Sequence, residues 1–308
     1  MGCSSSLARI RTSPPSAPES NPMSAHWPHR PRPTVFTVAV GAVAVVLLGT
    51  LIAALVFFAH GGRWFVVTTP SMGTVAPVGT LVLTTPTAVS ALQNGDIISF
   101  HPPSAPAETY THRVYKISPE GGVTSKGDIN GAVDSWTLHS ADLIGRATTV
   151  LPGVGWLARG LPILVIGFLL VFLLTRLLRS RPRRASMRIV GVSLVVAVAA
   201  YVLRPFTGLV VLQTFVRGGH AGATVVSTGL LPIQVTAEHG NRIELLTGQV
   251  GQLSMPRYLE DGYYRISSAL HLDVGGWIVF VLVCCIPLLG TLIFGLPAEE
   301  PLDGGAPA

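Results

Sequence analysis

Charge is what this chain has least of. Only 12% of its 308 residues are Asp, Glu, Lys or Arg, and only Lys116 and Lys126 are lysines. Cysteine is as sparse: Cys3, Cys284 and Cys285 are the whole set, and none falls between residues 60 and 273. That long interval therefore has neither a disulfide framework nor a thiolate metal site, and the adjacent pair reads as small apolar packing. With so few ionisable groups and a mean hydropathy of +0.54, an ordinary soluble fold is excluded. The two lysines also leave little material for lysine-based acid–base chemistry.

What is abundant is uninterrupted apolar sequence. Val35 to Ala59 carries no charge, and as a helix it is roughly 37 Å long, enough to span a bilayer. Gly275 to Leu296 is a second such run, broken only by Pro287, which membrane helices tolerate. Leu161 to Thr175 and Ile189 to Leu203 are shorter, and reach spanning length if the arginines at their ends snorkel. Four transmembrane spans are expected.

The formal charge of +6 suggests a nucleic-acid partner only until it is located. The connection "TRLLRSRPRRASMR" holds Arg176, Arg179, Arg181, Arg183, Arg184 and Arg188 and no acid, whereas residues 60–159 hold equal numbers of acids and bases. The positive-inside rule places the arginine loop in the cytoplasm, and the basic tail (Arg9, Arg11, Arg30, Arg32) agrees. Both termini are then cytoplasmic, and 60–159 and 205–273 lie outside. The basic excess is topological, and no nucleic acid is expected as partner. "MGCSSS" fits an acylation pattern, but a lipid adds little to four spans and the short match is read as chance. Val35 to Ala59 is too long for the apolar region of a cleaved signal peptide and ends in "FFAHGGRW". It reads as a retained anchor.

The expected organisation is a disordered Pro-, Ser- and Arg-rich tail (1–33), an anchor (34–59) and a β domain (60–159). A span (160–178), an arginine loop (179–188) and another span (189–204) follow. A second β-rich outer segment (205–273), a last span (275–296) and a short cytoplasmic tail (297–308) complete it. The β assignments rest on short β-branched runs parted by Gly, Pro and Asp, such as "RWFVVTT", "GTLVLTT", "GDIISFH" and "YTHRVYKI". "HGN" after "IQVTAE" resembles a hairpin turn. The fold class is thus a membrane protein of mixed α and β structure. An all-β outer domain follows the anchor, with three further helices and a second small β-rich segment.

Three elements of the first outer segment could carry chemistry. Ser71 sits in "TTPSMGT", twelve residues past the anchor, hence at most about 40 Å from the bilayer core; alone it is an ordinary turn serine. His112 lies in the strand "TYTHRVYKI", where a lone histidine is usually half-buried and hydrogen-bonded. Its functional use would be as a general base, since an imidazole of ordinary pKa (about 6.5) is largely neutral at pH 7. "SKGDINGAVDSW" supplies Asp128 and Asp134. Asp128 sits in ordinary turn chemistry. Asp134 could fix an imidazole tautomer or be a solvated loop carboxylate.

Taken in order, "PSMGTVAPVGTLVLT", "GDIISF", "THRVYKI", "SKGDINGAVD" and "DLIGRATTVLPGVGWL" resemble the type I signal peptidases. The likeness is to the endoplasmic-reticulum and archaeal branch, in which histidine replaces a general-base lysine, and it covers residues 64–158. It implies Ser71 as nucleophile, His112 as base, Asp134 as the acid that orients it, and Asp128 as a second important aspartate that braces its loop. The oxyanion would meet the Ser71 backbone N–H, with the Thr69 hydroxyl as second donor. Thr74 stands where the family has proline, Thr80 where an acid or serine often stands, and Pro70 where a small residue is common. The resemblance implies a serine endopeptidase that removes signal peptides from secretory precursors at the outer membrane face, with those precursors and the lipid bilayer as partners. No cofactor and no metal are expected. The alternative is a non-catalytic membrane binding or assembly protein built on a degenerate peptidase domain. Residues 205–273 fall outside the resemblance and receive no role from it.

Overall fold

The computed structural model describes residues 33–204, 206–217, 220–255, 265–282 and 285. The expected tails, "MGCSSS" and most of the last span lie outside these residues; of that span a helical stretch over 274–282 is described. The architecture is mixed α and β, with every strand pair antiparallel.

Helix α1 (Pro33–Ala59) is apolar throughout, with no acid in its first turn and no base in its last. A six-stranded sheet follows, made of β1 (Arg63–Val66), β2 (Leu81–Thr85), β3 (Ile97–Phe100), β4 (Tyr110–Ile117), β5 (Val123–Lys126) and β6 (Leu143–Leu151). Their spatial order is β1-β2-β6-β3-β4-β5, so β6 returns to the middle and β1 and β5 form the edges. Alternation explains which side faces in: β2 and β5 bury every second residue, as a sheet with one covered face requires.

Two small apolar clusters hold this sheet. Ile98, Phe100, Val114, Val123, Leu138 and Leu92 form one, with Tyr110 and Trp136 packed against it. Val67, Met72, Ala76 and Val82 form the other. Phe100 is central to the first, its ring 6.2 Å from Tyr110 and 6.4 Å from Trp136 at tilted angles. The chain after β5 doubles back so that Leu138 exchanges both backbone hydrogen bonds with Val123. This return closes the cluster and sets where Asp134 falls.

Among the described residues two helices are long and apolar enough to cross a membrane: α2 (Val154–Arg176) and, over Arg183–Leu203, helix α3 (Arg181–Leu203). Both begin before the boundaries expected from sequence. The charge of Arg159 suggests a start at 160. In the structure α2 starts at Val154, because Gly155 and Trp156 pack on the turn before β2. A side chain on Gly79 would collide with the Trp156 indole. Most of the expected arginine loop is helical too, since Pro182 suits a first helical turn. Arg184 donates to the Leu178 carbonyl at 2.7 Å and Arg188 to the Thr175 hydroxyl at 3.1 Å. The first bond ties the start of α3 to the connection just past α2.

Beyond α3 come two three-stranded sheets. One has the order β11-β8-β7, from β7 (Leu209–Arg217), β8 (His220–Ser227) and β11 (Val250–Met255). The other is β10-β9-β12, from β9 (Ile233–Ala237), β10 (Arg242–Leu245) and β12 (Ile266–Leu270). They enclose a core of Ala221, Ala223, Val225, Ile233, Val235, Leu245, Leu253 and Met255. The "HGN" segment does connect a hairpin, β9 to β10, with His239 at φ 57°.

Because Phe100 is fully buried at the centre of its cluster, Phe100→Ala is expected to cost about 3–5 kcal/mol. A thermal unfolding midpoint within a degree of the parent would contradict that packing.

Candidate active site

His112 lies on β4 opposite Ile98 of β3, on the face that carries Phe100. Its ring packs edge-on to Phe100 (centroids 6.1 Å) and Tyr110 (5.7 Å), and only 5% of the residue is exposed. Packing against two aromatic rings fixes the imidazole plane and leaves its two nitrogens pointing in opposite directions along one line.

On one side Nδ1 lies 2.7 Å from Asp134 Oδ2. Asp134 is set by the segment that doubles back after β5: its N–H donates to the Ser125 carbonyl at 2.9 Å, and the Ser125 hydroxyl donates to Oδ2 at 2.6 Å. A carboxylate accepts only, so the neutral imidazole carries its proton on Nδ1 and donates it to Asp134. Buried charge without such donors is costly. Here two short donors converge on one oxygen.

On the other side Nε2, left as an acceptor, lies 3.1 Å from Ser71 Oγ. Ser71 sits in a turn closed by the Gly73 N–H donating to the Pro70 carbonyl at 2.8 Å. Met72 pins this turn by burying its side chain completely beside Val67, Ala76 and Val82. The Ser71 carbonyl accepts from the Ile129 N–H at 3.0 Å, tying the turn to the "KGDIN" loop. Asp134, His112 and Ser71, which the sequence separates by 22 and 41 positions, thus form one continuous hydrogen-bonded line.

The remaining expected residues take different places. Asp128 touches neither Ser71 nor His112. It accepts from Arg113 Nε and Nη2 at 2.8 and 2.7 Å in a bidentate pair, while Arg113 Nη1 donates to the Gly95 carbonyl at 2.8 Å. The hydrogen bond to Asp128 holds the Arg113 guanidinium above its usual pKa. Asp128 therefore ties the loop that supports Ser71 to the strand residue next to His112. Thr69 Oγ1 lies 3.5 Å from Ser71 Oγ, on the same rim. Neither lysine enters the line: among the described residues the Ser71 hydroxyl is partnered by His112 and Thr69.

Ser125 and Arg113 were not singled out from sequence. A signal for Ser125 existed, since it takes an inward position of β5 beside buried Val123, where a hydroxyl must find a buried partner. Arg113 carries no such signal, because its partner is fixed only by the loop.

Ser71 and His112 open on a cleft of about 510 Å³ lined by Phe65, Val66, Val67, Thr68, Thr69, Glu108, Thr109, Tyr110, Thr111 and Asn130. Its walls come from β1 and the segment after it, and from the beginning of β4. β1 pairs only with β2, and β4 pairs with β5 only from Arg113 onward. Each wall therefore offers a strand edge with unpaired backbone groups. Burial first, and the Glu108 carboxylate second, push the Tyr110 hydroxyl above its usual pKa, so it stays neutral in the cleft. Among the described residues no cluster of three or more His, Cys, Asp or Glu could hold a metal ion.

Burial separates two supporting contacts. Ser125→Ala removes a hydrogen bond to a nearly buried charge and is expected to cost about 1.5–3 kcal/mol. Arg113→Gln breaks a pair whose side chains are 35% and 22% exposed and is expected to cost about 1 kcal/mol or less. Thermal unfolding of the two variants side by side checks the order. Compared with known proteins, the chain matches no family model and no curated sequence.

Proposed function

We propose that this chain is a membrane-bound serine endopeptidase that removes signal peptides from exported precursors. The observation that carries the reading is the Asp134–His112–Ser71 line opening on a cleft walled by two unpaired strand edges. A stray histidine would need a partner, but not this order of donor and acceptor.

In the proposed reaction an extended segment of the precursor lies in the cleft and adds to the strand edges, its backbone pairing with theirs. His112 Nε2 takes the proton of Ser71 as Oγ attacks the scissile carbonyl. Asp134 keeps the Nδ1 proton in place and stabilises the imidazolium that forms. The negative oxygen of the tetrahedral intermediate is met by the Ser71 N–H, which donates no hydrogen bond among the described residues, with the Thr69 hydroxyl beside it. A preorganised donor of this kind commonly contributes ~10²–10³-fold. The intermediate collapses as the C–N bond breaks and His112 returns its proton to the leaving amine. Water then enters, His112 takes one of its protons as the oxygen attacks the ester carbonyl, and His112 returns that proton to Ser71 Oγ as the acyl C–O bond breaks, releasing the carboxylate product. Small side chains before the cut are implied by the family resemblance, and shallow walls of Val and Thr suit them.

The membrane setting follows from the apolar helices. We place four spans in the bilayer with both termini and the arginine-rich turn in the cytoplasm, by the positive-inside rule. Ser71 is twelve residues past α1. Tethering at that distance raises the effective concentration of a membrane-bound precursor without any added contact.

Cleavage of a membrane-anchored precursor tests this. Ser71→Ala is expected to abolish it, and undiminished cleavage would remove Ser71 as nucleophile. His112→Ala and His112→Lys are both expected to be nearly dead. Asp134→Asn should lose on the order of 10⁴-fold in kcat, by analogy with the serine-protease triad. Asp128→Asn should lose much less, because Asp128 contacts Arg113 and not the imidazole.

A further inference from the structure

The second β unit reaches the nucleophile turn. The connection between β10 and β11 is a tight turn in which the Gln249 N–H donates to the Leu246 carbonyl at 3.0 Å. The Gln249 side-chain oxygen accepts from the Leu246 N–H at 3.0 Å. Two further bonds lock the turn to its own unit: Gly248 N–H to the Ser227 carbonyl at 2.9 Å and the Thr247 hydroxyl to the Leu230 carbonyl at 3.1 Å. At its apex Gly248 takes φ +75°, a left-handed value that glycine adopts at no steric cost.

That apex lies on the turn that carries Ser71. A Cβ on Gly248 would stand 2.8 Å from the Gly73 carbonyl carbon and 3.0 Å from Thr74 Cα, and would collide with the Gly73 carbonyl oxygen. Gly73 has φ +56°, and both glycines are buried although Thr74, Leu246 and Gln249 beside them are exposed. Ile129 also stands against Gly73: its Cγ2 would be 2.6 Å from a Cβ there, with the Gly248 carbonyl oxygen 3.7 Å from the same point, and its N–H holds the Ser71 carbonyl. Gly73 is thus packed by backbone from the β10–β11 turn and by a branched side chain from the Ile129 loop.

We propose that the β10–β11 turn is the outer jaw of a clamp that positions the Ser71 turn, with the Ile129 loop as the inner jaw. This gives residues 205–270 a role in the reaction without contact to substrate, and in its kinetic part it rests on the peptidase reading above. Within its own segment the Ser71 turn is held by the Gly73–Pro70 bond and by the buried Met72 side chain, and exposed Thr74 follows the left-handed glycine. A clamp on Gly73 limits rotation of the Ser71 Cα, hence the reach from Oγ to Nε2. Gly248 is accordingly a positioning residue, and the close approach, more than the turn alone, is what demands glycine there.

The test uses the full chain in detergent, with two variants. Gly248→Asn tolerates the left-handed backbone but adds the colliding Cβ. Thr247→Ala frees the turn from Leu230 and adds nothing. Amide hydrogen exchange over residues 71–76 is expected to quicken in both, more in Gly248→Asn, while β3 and β4 keep their protection. With a membrane-anchored precursor, kcat is expected to fall by ~10–100-fold in Gly248→Asn, as a small misplacement of reacting groups does, with KM little changed. Unchanged exchange over 71–76 in Gly248→Asn overturns the clamp. Quickened exchange with an unchanged kcat overturns the positioning role. Should Gly248→Asn also lose protection in β3 and β4, Thr247→Ala decides by the same two readings. If the parent chain cleaves no precursor, the peptidase reading fails, and the exchange data alone then decide the clamp.

Discussion

Most of the six-stranded β domain can be understood from the burial of one carboxylate. Asp134 is held almost wholly away from water with its oxygens able only to accept, so the surrounding chain must supply donors. The Ser125 hydroxyl and the His112 imidazole supply them at 2.6 and 2.7 Å. Both donors come from neighbouring strands, so β4 and β5 must pair in the register seen, with Arg113 opposite Lys126 and Val114 opposite Ser125. A slip of one residue would turn Ser125 and Val123 outward and leave the carboxylate unpaired. The same bond that satisfies Asp134 fixes the imidazole tautomer, and that tautomer leaves an acceptor facing Ser71. Stability and proposed chemistry draw on one interaction.

Around that line the aspartates divide the work by burial. Asp134 is dry and bonded to the imidazole. Asp128 is partly wet and bonded to Arg113 in a bidentate geometry that suits loop bracing. Two carboxylates six positions apart in one loop thus have unlike surroundings, because the chain doubling back after β5 carries Asp134 inward beside β5 while Asp128 stays partly exposed. Ile129, between Asp128 and the rest of the loop, bonds the Ser71 carbonyl, so the brace reaches the Ser71 turn through the backbone.

The added carboxy-terminal half is part of this construction and not a separate appendage. The apex of its β10–β11 turn lies on Gly73, and Leu230 lies against Gly153 just before α2. The proposed clamp would restrain the Ser71 turn from outside the local segment, by packing on Gly73.

Local chemistry made much of this legible in the residue order. Apolar run length marked helices α1, α2 and α3, since a bilayer demands a fixed number of charge-free residues. β-branched runs between Gly and Pro marked the strands, and the order of Ser71, His112, Asp128 and Asp134 suggested a site. Helix starts were misjudged where a charge was taken as a boundary: Arg159, Arg181, Arg183, Arg184 and Arg188 are helical, and at α2 packing on the turn before β2 outweighs the charge. Which aspartate meets the imidazole, that Ser125 joins it, and that Gly248 lies on Gly73 could be decided only in three dimensions. Those contacts join residues between 9 and 175 positions apart. Strand register and return loops bring them together, and no local propensity encodes either.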